Sequence, residues 1–378
     1  MADRSMNFEI VGVHPANKGA LLMLEAIRER LLATFPSARF GVPLTWPAEQ
    51  RIELGLWAVF PREFGPLDCT FLMSLIPRRI RNRLGLFAAE DIDVILDASG
   101  FGYGDHWGVR KTARRLPGRK GGQVIVLLPQ ALGPFKGAGM ARAFLRVLRI
   151  ADLVFVRDPI SMRHVESLGE PPGHVRMCPD FTCLLHPELP AHLNHLDGAG
   201  LIIPNRKVAE GDPRMEECYL DFLWEAAVAI QNSGRRVVLL VHEGAGDIQL
   251  AEKLNRRLSE PLEIINEHSP LVTKAVIGRA ALTVSSRFHG LVSALSAAVP
   301  SLACGWSHKY DALMSDYGCG DLQVDLADRA SWQGSVDRLI RAADDAALKK
   351  RLQSASRAQS LAAEAMWAEV VSLIEGRR

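Results

Sequence analysis

Residues 8–31, FEIVGVHPANKGALLMLEAIRERL, open as a strand and close as a helix. Phe8 to Val13 is a short apolar run, and Leu21, Leu24, Ile27 and Leu31 recur at helical spacing behind a loop through Asn17 and Gly19. The same unit returns along the chain. Val94 to Ala98 runs into Ser99-Gly100-Phe101-Gly102-Tyr103-Gly104, Val124 to Leu128 into Pro129-Gln130, and Leu153 to Val156 into Arg157-Asp158. Short apolar runs alternating with amphipathic stretches mark β-α units around parallel sheets, whose carboxyl edge carries ligands. Each of these strands delivers polar or glycine residues to that edge.

The pattern restarts at Leu201 to Ile203, ending in Pro204-Asn205. A helix from about Met215 to Ser233, the strand Val237 to Val241 and the loop His242 to Gly246 follow. Asp247 then stands where a helix cap belongs. Ala281 to Ser285, the helix Gly290 to Ala298, the strand Pro300 to Cys304 and a last helix from about Asp344 to Glu375 complete the chain. Between the halves, residues 186–199 hold three His and two Pro without helical period and read as a connection, with His192 and His195 as linker residues rather than ligands. The expected architecture is α/β, two Rossmann-like doubly wound domains facing a cleft. Its domains are residues 1–190 and 196–350, with a terminal helix over 351–378 packing back on the first.

Length and composition agree. At about 100–200 residues per domain, 378 residues suit two domains, each with its own core. Lys+Arg 45 against Asp+Glu 43 leaves +2, so no nucleic-acid partner is expected. Ordinary Gly and Pro usage excludes fibrous and disordered classes. Met1 to Asn7 lacks the apolar core of a signal peptide, and no run of about 18 uncharged apolar residues occurs. With six scattered cysteines, a cytoplasmic protein with reduced thiols is expected. Cys178 and Cys183 are close enough to suspect a metal or disulfide, though isolated buried thiols are commoner.

Ser285-Ser286-Arg287-Phe288-His289-Gly290 is the strongest local feature. A helix N-terminus after a strand offers N–H groups to an anion, Arg287 adds a planar fork, and His289 can move a proton near neutral pH. The bland alternative makes Arg287 a structural ion pair and His289 a cap. Lys309, in Trp306-Ser307-His308-Lys309-Tyr310, follows the next strand and adds a second cation or is a solvated loop lysine. Asn17-Lys18-Gly19-Ala20 and Gly100 to Gly104 lack P-loop and GxGxxG spacing, so they are weak nucleotide signals. Asp91-Ile92-Asp93 spells DxD but precedes its strand, which favours a solvated strand entry. Arg157-Asp158 fits a salt bridge or a cleft cation alike. Arg78, Arg79, Arg81 and Arg83, interleaved with Ile80, Leu84 and Leu86, suit an anionic lipid surface, a diphosphate or a solvated helix face.

Taken in order, these pieces resemble the polysaccharide pyruvyl transferase family. The match rests on Asn17-Lys18-Gly19-Ala20, Ser99 to Gly104, Leu128 to Phe135, Val156 to Ser161 with Leu168-Gly169, Pro179-Asp180, and Ser286 to Gly290 followed by Pro300 and Lys309. Lys18-Gly19-Ala20 departs from the Gly-Asp-Glu of many members, which touches the acceptor side. The resemblance implies a glycosyltransferase-B-like fold, with the first domain on the acceptor side and the second on the donor side. It implies phosphoenolpyruvate as donor and a saccharide acceptor, free or lipid-linked, that receives pyruvate as a cyclic ketal in cell-surface or exopolysaccharide synthesis. Arg287 and His289 are then catalytic, with Arg157, Lys309, Ser286, Asn17, Gly19, Gly100, Gly102 and Gln130 around the substrates. No cofactor or metal is required. Two rivals are a nucleotide-sugar glycosyltransferase on the same fold and a saccharide-binding relative without turnover.

Overall fold

The computed structural model describes residues 5–61, 63–64, 67–68, 73, 75–116, 121–305 and 308–377; Cys69, Trp306 and Ser307 lie outside them. The chain forms two compact units. The first is Met1–Pro15, Met23–Phe181 and Ala362–Arg378, and the second is Ala16–Leu22 and Thr182–Leu361.

In the first unit the strands are β1 (Asn7–Val11), β2 (Arg39–Pro43), β3 (Trp57–Val59), the hairpin pair β4 (Glu63–Phe64) and β5 (Leu67–Asp68), β6 (Leu86–Phe87), β7 (Val94–Asp97), β8 (Phe101–Tyr103), β9 (Val124–Leu132), β10 (Leu153–Val156) and β11 (Val175–Met177). The main sheet is ordered β11-β10-β9-β7-β1-β2-β3-β6, with β8 beside β9, and its pairings are parallel. Strands β7, β9 and β10 are buried throughout, and residues 94–96, 124–128 and 153–156 within them read as unbroken apolar runs. The chain order reverses between β1 and β7, which places Ser99 to Gly104 at the switch point of the sheet.

The second unit repeats the design with β12 (Gly200–Ile203), β13 (Val237–Leu240), β14 (Glu263–Ile265), β15 (Leu282–Ser285) and β16 (Ser301–Ala303). Its parallel order is β14-β13-β12-β15-β16, so the switch point lies between β12 and β15. Asn205 follows β12 and Ser286-Arg287 follows β15. The Asn205 amide donates to the Ser286 carbonyl at 2.7 Å and ties these two strand ends together.

Helices start where capping chemistry says they should. Asp158, Asp212 and Ser269 each accept a first-turn N–H, and each precedes a Pro at the first helical position. Asn17 accepts from Ala20 N at 3.0 Å and caps the helix Lys18–Thr34.

Several expectations change. The long stretch of the second unit begins at Thr182, and residues 186–199 are no linker. Ala191–Leu196 is a 3-10 turn whose Leu193 and Leu196 pack with Leu201, Ile203, Val238 and Leu240 in the second core. His195 stands 3.1 Å from Glu263 there. The Gly-rich segment is partly strand, because β9 runs on past Leu128 to pair Ala131 and Leu132 with β8. Cys178 and Cys183 are both buried. The helix Ala346–Gly376 groups with the first unit from Ala362 onward, where Trp367 meets Phe181 edge-to-face at 5.7 Å. Among the described residues no helix is long and apolar enough to cross a membrane.

Candidate functional site

In the second unit the polar residues gather at the carboxyl ends of β12, β13 and β15. Arg287 is the N-cap residue of the helix Phe288–Ser296 and makes no side-chain cap. Its Nε donates to Asp247 Oδ2 at 3.0 Å, and its Nη2 donates to both Asp247 oxygens at 2.6 Å. Its Nη1 donates to Glu243. The fork foreseen for a substrate anion is therefore held by two carboxylates, and the ion-pair reading describes this structure.

Asp247 organises the loop after β13. Fully buried, it also accepts from Arg206 N at 2.9 Å and Glu243 N at 3.0 Å. Burial pushes its carboxyl up while Arg287 pulls it back. Its role extends well past the helix cap expected of it.

Lys18 joins this cluster through the first turn of its helix, which belongs to the second unit. It is buried and donates to the Val241 carbonyl at 2.9 Å. Burial, with Arg287 adding to it, lowers its ammonium to about 8 against the pull of Asp247, Glu267 and Glu243. Unfolded, Lys18 keeps its proton to about pH 10.5, so between pH 8 and 10.5 the unfolded chain binds more protons and stability rises with pH. Against Lys18→Met, the parent should gain about 3 kcal/mol between neutral pH and pH 10.5. Urea titrations of both proteins across that range check this; a constant difference would mean Lys18 titrates as an exposed lysine.

His289 sits in the first turn of its helix, against Gly19. A Cβ on Gly19 would lie 2.3 Å from His289 Nδ1, so glycine here is a matter of space. Gly19→Ala improves helix propensity yet should cost about 1–3 kcal/mol through this overlap. Chemical denaturation measures it, and a stabilised variant would refute the close approach. His242 is buried and neutral, its imidazole lowered well below the usual range by burial and by Arg287, His289 and Lys18. Its Nε2 has no hydrogen-bond partner among the described residues.

Ser286 is buried at the end of β15. Its hydroxyl pairs with Tyr219 at 2.6 Å, and its carbonyl accepts from Tyr310 at 3.0 Å. Lys309 is the second residue of the helix His308–Asp316, with its Nζ 5.4 Å from the Phe288 ring centroid. Lys309 thus neighbours the residue between Arg287 and His289.

The first unit holds its own cluster at the ends of β7, β9 and β10. Asp97 accepts from Ser99 N at 2.9 Å, from the Ser99 hydroxyl, and from Tyr103 Oη at 2.5 Å. Burial and Asp97 hold the Tyr103 phenol well above its ordinary value. Arg115 donates to Ser99 Oγ at 2.9 Å and lies over the Tyr103 and Trp107 rings. A Cβ on Gly102 would come within 2.8 Å of that guanidinium, and one on Gly100 within 3.9 Å of Arg157. Gln130 is fully buried, with an Oε1 that has no partner among the described residues. Arg157 resolves as a buried ion pair with Asp180 at 3.2 Å.

Two further expectations are corrected. Asp91 of the DxD is no solvated strand entry; it is buried and paired with Arg81. Asn17 spends its side-chain oxygen on the helix cap. Lys18, Glu243 and His242 were not foreseen as site residues. Their signal was position alone, after a strand or in the first turn of a helix.

A family model described as polysaccharide pyruvyl transferase matches residues 17–308. No sequence among the curated proteins matches the chain. Among solved structures, a glycosyltransferase from Rickettsia africae superposes with TM-score 0.58 at 8% identity, covering 99% of both chains. MnaA of S. aureus, solved with UDP, gives 0.57 at 13%, covering 95% of this chain and 94% of its own. UGT71G1 of Medicago truncatula, complexed with UDP-glucose, gives 0.53 at 11%, covering 98% and 100%. At these identities the likeness shows the fold alone, which is of the glycosyltransferase-B type.

Proposed function

The chain belongs to the polysaccharide pyruvyl transferase family, and on that premise we propose that it moves the pyruvyl group of phosphoenolpyruvate onto a saccharide as a cyclic ketal. The observation that carries this reading is the grouping, in the second unit, of Lys18, Arg287, Lys309 and His289 around one helix N-terminus. Phosphoenolpyruvate brings a phosphate and a carboxylate, and such a dianion needs several cations and oriented N–H groups.

The division of labour follows from burial. Asp247 fixes the orientation of Arg287 from below, whereas Glu243 is its more exposed partner, with 19% of its side chain accessible against none of Asp247. The edge held by Glu243 is the one an incoming anion takes over. Lys18 and Lys309 add charge. His289 delivers a proton to the vinyl methylene, which makes the adjacent carbon electrophilic. One sugar hydroxyl adds there, inorganic phosphate leaves, and the second hydroxyl closes the ketal. Of the two hydroxyl protons, one replaces the proton His289 gave and the other goes to the departing phosphate. Gln130, Gly100, Gly102 and Arg157 in the first unit serve the saccharide.

The test is phosphate release from phosphoenolpyruvate across free, nucleotide-linked and lipid-linked sugars, with ketal formation followed by mass. Release that depends on one acceptor class supports the reading. No release with any acceptor, alongside sugar transfer from a nucleotide sugar, would replace it with glycosyl transfer.

A further inference from the structure

The helix Arg78–Arg83 is built the wrong way round for a surface helix. Its buried residue is an arginine: Arg81 donates to both oxygens of Asp91 at 3.0 Å and to the carbonyls of Met73 and Ile76 at 2.9 and 2.7 Å. Its apolar side chains face water instead. Ile80 is 48% exposed and Leu84 61%, four residues apart on one side, and Leu75 just upstream is 73% exposed. Three of the ten large hydrophobic side chains exposed among the described residues thus fall within ten positions. Arg79 and Arg83 are exposed beside them at the same spacing, and Arg78 keeps 53% of its side chain accessible while standing 3.6 Å from Asp91. Exposed Glu90, near Arg81, is the acidic neighbour.

We propose that Leu75, Ile80 and Leu84, with Arg78, Arg79 and Arg83, dock the protein on an anionic lipid bilayer. A bilayer surface takes apolar tips into the acyl boundary and cations at the headgroup level, and arginine stems reach between the two. The local charge is a property of this patch, since the whole chain carries only +2. A second copy meeting itself here would set like arginines against one another across a two-fold axis. A soluble polyanion would satisfy the arginines and leave the three apolar side chains in water. Of these three occupants the bilayer satisfies both. Arg81 belongs to the fold and not to the surface, and this separates it from the other three arginines of the run.

Co-flotation with phosphatidylglycerol-containing vesicles and with pure phosphatidylcholine vesicles tests this on the full chain. The parent should float with the anionic vesicles only, and less as salt rises. R78Q/R79Q/R83Q should lose roughly fivefold per arginine, or roughly a hundredfold in all, at about 1 kcal/mol per cation near the surface. L75S/I80S/L84S should lose anionic binding with every arginine retained. Far-UV circular dichroism confirms folding, which neither set should disturb because all six positions are exposed. A parent that ignores anionic vesicles overturns the proposal, and so do variants that bind like the parent. A parent that dimerises in sedimentation velocity, with L75S/I80S/L84S monomeric and no vesicle binding by either, assigns the patch to a second copy instead.

Discussion

His289→Gln is expected to turn over a hundredfold to ten-thousandfold more slowly than the parent, the usual range for a missing general acid, while binding phosphoenolpyruvate at nearly parental affinity. The helix that carries His289 does not depend on its side chain. Leu291, Val292 and Leu295 bury that helix, and Arg287 occupies its cap position. Glutamine keeps the size and polarity of the ring's edge but cannot deliver a proton to carbon. Calorimetric titration with phosphoenolpyruvate and a phosphate-release assay separate the two effects. Parental turnover would remove His289 from the chemistry, and lost binding with intact folding would make it a donor-binding group.

The fold could be read from the sequence where strands are buried on both faces. Residues 94–96, 153–156 and 201–203 are unbroken apolar runs, β15 departs from one only at Thr283 and Ser285, and the ends of these strands carry the motifs. β2, β3, β6, β11 and β14 escaped because they are short or carry Arg, Glu or Pro at their ends. The segment around His192 and His195 looked like a linker because its histidines and prolines outnumber Leu193 and Leu196, yet those two leucines decide its place. The site was readable as residue types at strand ends. Its pairings were not, since Arg287 meets its carboxylates forty and more positions away, and Asp91 finds Arg81 only through the fold. Lys18 is the clearest case. Nothing in Asn17-Lys18-Gly19-Ala20 says that the first turn of a helix otherwise in the first unit joins the second.

That pairing changes what Arg287→Ala should do. Truncation leaves Asp247, fully buried, without its counter-charge, and breaking a buried pair from one side costs about 3–5 kcal/mol. For units of this size that corresponds to a melting temperature lower by roughly 10 °C, so the first effect of the variant is on stability. Weaker donor binding by it is interpretable only below its melting range. Arg287→Met combined with Asp247→Asn should recover part of the loss, because no bare charge remains and the amide oxygen keeps one of the two backbone donors, Arg206 N at Oδ1 or Glu243 N at Oδ2. The loss in Arg287→Ala should also shrink on acidification. The Asp247 carboxyl already stands above its ordinary value by burial, and without Arg287 to pull it down it takes up a proton more readily. Differential scanning calorimetry of the parent, Arg287→Ala and the double variant at neutral and mildly acidic pH measures all three effects. If Arg287→Ala melted with the parent at neutral pH, the pair would contribute nothing net to the fold, and Arg287 would be held at the end of β15 for substrate alone.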